Sequence, residues 1–225
     1  MPPKLSDEEQ NLLIKLVKDY FTVKKLIIEA ENLDKEKRIP INAINELRNA
    51  LDHLMRVFAV NYGLYEKNIN IRQNLEEALE HIYRAGYDAC DIIAITLLEE
   101  IERLLEPYPV DVILKVWTDF YDKWFPKLAE AKKAIEEAKI VKGNWDGFNA
   151  DYFHSYLKKV EALENLLEEL RKRITAVQRA YEEEIKRKEE ARRWNRRLVI
   201  ATASGALGAI IGGAISAVLT YLLMK

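Results

Sequence analysis

Cysteine, histidine, glycine and proline are all scarce in this chain, and each scarcity removes a class of answer. One cysteine, Cys90, allows no intramolecular disulfide. Three histidines and that cysteine, widely spaced, match no metal-ligand pattern, so neither a metal nor another cofactor is expected. Eight glycines and six prolines leave few helix breakers in 225 residues, and four of the glycines follow residue 204. No Gly-rich phosphate loop or alternating strand pattern occurs, which argues against a nucleotide-binding α/β domain. The formal net charge is only −2, so the chain is no polycation and any nucleic-acid contact has to be a local patch. The opening MPPKLSDEEQ has no apolar core of signal-peptide length, so export of the N-terminus is not expected.

What remains is rich in Glu, Lys, Leu, Ala and Ile, the composition of an all-α protein. Ser6 with Glu9 three residues later predicts a capped first helix continuing to about Glu31. A second helix is expected from about Ile41 to Asn61, with Ile44, Leu47, Leu51, Leu54 and Phe58 as its apolar face. A third follows from about Ile71 to Leu105, and a fourth from about Val110 to Lys139, kinked by Pro126. In the fifth, Phe153, Tyr156, Val160, Leu163, Leu167, Leu170, Ile174, Val177 and Tyr181 alternate at steps of three and four. That stripe suits a bundle core face or a coiled-coil seam. Trp117, Tyr121, Trp124 and Phe125 are expected in the core or a dimer interface.

No charged residue occurs from Leu198 to Met224, a run of 27 residues. As a helix it would extend roughly 40 Å, longer than the hydrocarbon core of a bilayer. The preceding KRKEEARRWNRR holds seven basic and two acidic residues. Arg192, Arg193, Arg196 and Arg197 are placed to meet lipid headgroups and Trp194 to sit at the interface. The expected organisation is a cytoplasmic bundle over 1–181, a charged stalk over 182–197 and one transmembrane helix over 198–224. This is a tail-anchored, single-pass protein of the cell membrane with its N-terminal part in the cytoplasm. Within the run Ser204, Gly208, Gly212 and Ser216 recur every four residues, a stripe that lets spans pack closely and predicts a homo-oligomer.

The second helix carries ELRNALDH. Asn45, Arg48, Asn49, Asp52, His53 and Arg56 form a polar stripe beside its apolar face. Arg48, Asn49 and His53 resemble the Rx4–6H motif of the HEPN superfamily. The third helix adds NLEEALEHIYRAGYDACD, similar to a segment following the motif helix in some HEPN-like proteins; in it His81, Arg84 and Asp88 are candidate supporting residues. The resemblance covers about residues 8–140. It implies a HEPN-like bundle of four to five helices whose long last helix leads into the membrane. It also implies a metal-independent ribonuclease with a composite site at a homodimer interface. His53 would be the acid/base, Arg48 the stabiliser of phosphorane charge and Asn49 the positioner. RNA, not DNA, would be the substrate, in a toxin or antiviral defence setting. Two alternatives stay open: a non-catalytic oligomer whose spans form a pore or leak, and a membrane scaffold.

Overall fold

A computed structural model describes the backbone of residues 5–33, 40–64, 69–143 and 150–223; the side chains of 141–143, 203 and 205–223 lie outside the description. All regular structure among the described residues is helical: α1 (Asp7–Leu33), α2 (Ile41–Asn61), α3 (Ile71–Leu105), α4 (Val110–Val116), a π-helical turn (Phe120–Trp124), α5 (Phe125–Gly143) and α6 (Ala150–Leu223). Two compact units are formed, one by Met1–Pro107 with Trp117–Ile174, the other by Tyr108–Val116 with Thr175–Lys225.

Local chemistry sets the helix ends. Ser6 and Glu9 close the expected capping box, with Ser6 N donating to Glu9 Oε2 at 2.7 Å and Glu9 N to Ser6 Oγ at 3.3 Å. Gly63, at φ +67°, ends α2. Its N–H donates to Val60 O and that of Leu64 to Ala59 O, the paired bonds that satisfy the last carbonyls of a helix. The Asn70 side chain accepts from Gln73 N and caps α3.

The expected fourth helix does not run through from 110 to 139. It stops after Val116 and resumes as the π turn before Pro126. Proline has no N–H and crowds the carbonyl four residues back, so an α-helix through 122–126 would lose a bond. In the wider turn Phe125 N donates to Phe120 O, five residues back, and Pro126 falls in the first turn of α5, where its missing donor costs nothing. Trp117, Phe120 and Trp124 are buried there, while Tyr121 and Phe125 stay partly exposed. Arg173 of α6 lies 4.4 Å from the centre of the Trp117 ring, and Trp124 Nε1 donates to Leu166 O.

In the first unit α3 is the central helix. Leu75, Ala78, Ile82, Ala85, Ala89, Ile93 and Ile101 are fully buried along it. Tyr83 donates to the buried Asp19 of α1 and Tyr156 of α6 donates to Asp91, each at 2.6 Å. Burial and the adjacent carboxylate push both phenols well above the ordinary range; burial takes Tyr87, packed between them, to about 12. Phe153, Tyr156, Val160, Leu163, Leu167 and Leu170 are buried, so this part of the α6 stripe is a bundle face. In the second unit Val112, Ile113 and Val177 are buried, and Tyr108 meets Tyr181 edge-on at 5.7 Å. Glu184 accepts from Lys115 and Lys188, which hold its carboxyl down at about 2.

Beyond that, the stalk is exposed, including Arg192, Arg193, Trp194, Arg196 and Arg197. Leu198, Val199 and Ile200 at the start of the uncharged run are exposed as well. Ser204 Oγ donates back to Ala201 O at 3.0 Å. The packing expected of the Gly208, Gly212 and Ser216 side chains lies outside the described residues. Among the described residues, no helix is long and apolar enough to cross a membrane.

Two stability outcomes follow from the α3 and α6 contacts. A methyl added at Gly86 would run into the Phe153 ring and come within 2.9 Å of Val23 Cγ2. Gly86→Ala therefore costs about 1–3 kcal/mol despite its better helix propensity. Denaturant titration reads it, and Phe153→Leu in the same chain should recover part of the loss. The second outcome concerns Glu164 of α6, whose carboxyl is pushed up to about 7 by burial and by its hydrogen bond with Glu29 of α1, Lys25 opposing. The folded chain then keeps a proton that the unfolded chain releases near pH 4.5, so this group's stabilising contribution declines as pH rises from about 4.5 to 7. Glu164→Gln should flatten the dependence of Tm on pH across that window and raise Tm at pH 8. An unchanged slope would remove the shared proton from the account.

Candidate functional site

Helix α2 is rotated relative to the face expected from its large apolar residues. The side chains it buries completely are small: Ala43, Ala50 and Val57, spaced by seven. Small residues on this face allow the α2 and α3 backbones to come close. The rotation leaves Ile44, Leu51 and Met55 exposed and turns Glu46, Asn49 and His53 into partial burial along α3. The polar stripe is therefore divided. Asp52 and Arg56 are exposed and pair with each other, four residues apart.

The two helices run antiparallel, and a polar seam joins them. His53 Nδ1 lies 3.1 Å from Asn74 Oδ1 and 3.0 Å from Glu77 Oε2. His81 Nδ1 lies 2.6 Å from Glu46 Oε2. The rings stack, with centroids 5.2 Å apart and planes inclined by 24°. Both imidazoles are mostly covered, their side chains 14% and 16% exposed. Seven-residue and three-to-four-residue spacings produce the arrangement. Glu46 and His53 lie two turns apart on α2, as Asn74, Glu77 and His81 follow one face of α3.

The hydrogen bonds assign the ring protons. Asn74 Nδ2 donates to Asn70 O at 2.9 Å, which turns the amide oxygen toward His53. An amide oxygen only accepts, so His53 Nδ1 carries the hydrogen. The Glu46 carboxylate imposes the same on His81. In the neutral rings both lone pairs then sit on Nε2.

Of the sequence-predicted residues, the fold brings His53 and His81 into contact. Asn49 lies on the same side of α2, half-buried. Arg84 continues the α3 face and pairs with Glu80 at 3.4 Å. Asp88 lies farther along, in a cavity of about 370 Å³ with Asp91, Asn42 and Ala43. Arg48 does not join them. Five residues from His53, it is turned about 140° around the helix and lines an apolar groove between α1 and α2. Glu46, Asn74 and Glu77 were missed. The seven-residue interval from Glu46 to His53 and the matching interval from Asn74 to His81 were the available signals. Among the described residues, no group of three or more His, Cys, Asp or Glu side chains is arranged to hold a metal ion. No family model, curated protein or solved structure matches the chain.

The proton assignment has a direct spectroscopic outcome. Nitrogen-15 imidazole spectra of the neutral rings should show both His53 and His81 as Nδ1–H tautomers, and Asn74→Ala should loosen that preference only at His53. An Nε2–H signal from His53 in the parent chain would contradict the assignment.

Proposed function

We propose that this chain is a membrane-anchored, HEPN-like homo-oligomeric effector of a toxin or antiviral defence system that cuts RNA without a metal. One observation carries the reading: two stacked imidazoles, each with Nδ1 within 3.0 Å of a carboxylate oxygen. RNA cleavage by internal transfer needs a base for the ribose 2′-OH proton and an acid for the departing 5′-oxygen. In this reading Nε2 of His53 takes the first proton, the 2′-oxygen bonds to phosphorus, and the bond to the 5′-oxygen breaks as His81 gives it a proton. Arg84, one turn from His81, is the cation on the same helix face that would meet phosphorane charge. Arg48 could reach such a site only from a second copy. The exposed arginines and Trp194 before an exposed Leu198, Val199 and Ile200 support a bilayer at this end.

A second reading, a non-catalytic HEPN-like oligomer that forms a pore or leak or serves as a scaffold, is favoured by the position of Arg48 across α2 from His53. The acidic Glu46 and Glu77 beside the imidazoles also oppose a phosphate. Full-length protein in detergent, incubated with labelled RNA and chelator, separates the two. The ribonuclease reading expects cleavage that drops about 10²- to 10⁴-fold in His53→Ala and in His81→Ala, with subunit mass unchanged. If the parent protein cuts no RNA at any concentration, the ribonuclease reading is lost. Vesicle leakage abolished by Gly208→Leu would then establish the pore.

A further inference from the structure

The surface that most needs a partner is on the other side of α2. Ile14, Val17 and Phe21 share one face of α1, at steps of three and four. Ile44, Leu51 and Met55 share one face of α2, and all six side chains are exposed, Phe21 by 62% and Leu51 by 53%. Between the two stripes runs a groove of about 480 Å³ with Leu16, Tyr20, Leu47 and Leu54 in its walls and Ile82 of α3 among its lining residues. Arg48 is its charged lining residue. Monomeric proteins rarely leave a continuous apolar face of this kind in water.

We infer that the α1–α2 face is where a second copy of this chain docks, about a twofold axis, with the exposed side chains of each copy entering the groove of the other. Area and shape select this occupant. The six exposed side chains and the half-buried groove walls together offer on the order of the roughly 800 Å² per partner of a standard dimer interface. The same face carries both a groove and projecting large side chains beside it, and a twofold operation sets each against its complement. A flat bilayer would leave the groove unfilled. Arg48 is then an interface residue. Arg48 is exposed at the edge of the groove, and the exposed Asp52 one turn on carries the opposite charge, so a twofold can set the two against each other across the axis. The inference rests on the oligomeric part of the proposed function and not on its chemistry.

Full-length protein in detergent micelles tests it. Cys90 is buried and is the chain's one cysteine, so an added surface thiol can be addressed alone. Leu51→Cys should cross-link through a short bismaleimide to a dimer at about tenfold the yield of Glu99→Cys, an exposed control on α3. The Phe21→Lys, Leu51→Lys double variant should form smaller assemblies than the parent by light scattering. Equal cross-linking at the two positions, with an oligomeric parent, overturns this interface while leaving the oligomer reading intact. A monomeric parent overturns both. Protection of the Leu51→Cys thiol only when anionic lipid vesicles are added would assign the face to lipid and also overturn the inference. Adding His53→Ala to the Leu51→Cys chain should leave the cross-linking yield unchanged, which keeps this outcome separate from that for RNA cleavage.

Discussion

Close approach to α3 is the constraint on which the first unit depends. Gly86 lets the Phe153 ring of α6 and Val23 of α1 meet the α3 backbone at one level. Tyr83 of α3 and Tyr156 of α6 bring hydroxyls into this packing, and Asp19 and Asp91 accept from them. On the α2 side, Ala43 and Ala50 serve the same end. Where neighbouring helices come this near, their flanking side chains must either interlock or bond, and along α2 and α3 they bond.

That proximity explains why the two histidines lie together. His53 and His81 are 28 residues apart in sequence and face each other because α2 and α3 run antiparallel at short range. Buried polar groups are tolerated when each finds a partner. Asn70 orients Asn74, Asn74 orients His53, and Glu77 and Glu46 meet the Nδ1 atoms of His53 and His81. A seam of this kind gives register to a helix pair and a place for a proton. The ribonuclease reading uses the second property, and the non-catalytic reading needs only the first.

The rotation of α2 has two consequences. It separates Arg48 from His53 within one copy, and it leaves Ile44, Leu51 and Met55 without a covering element among the described residues. Arg48 and the exposed Ile44, Leu51 and Met55 therefore lie toward one side of α2, and the His53–His81 seam toward the other. An arrangement in which one residue pair completes the site from another copy becomes a question about Arg48, since both histidines are supplied by a single chain.

The bounds of α2 and α3, the capping box at Ser6, the buried stripe from Phe153 to Leu170 and the charged stalk were all legible in the sequence. Each depends on spacing or on chemistry within a few residues, which periodicity reports directly. The break at 117–119 in place of one kinked helix was not, because the π turn that absorbs Pro126 is held by buried Trp117, Phe120 and Trp124. Nor was the side of α2 that turns inward. Hydrophobic periodicity weights large residues and pointed to Ile44 and Leu51, whereas packing favoured the small Ala43 and Ala50, since burial rewards fit between two backbones as well as apolar area. By itself the sequence determined the bounds of α2 and α3 and named His53 and His81. Only the tertiary structure decided that they pair with each other, with Asn74 and two glutamates, and that Arg48 stands apart, because contacts between distant segments depend on how far each helix is turned about its own axis.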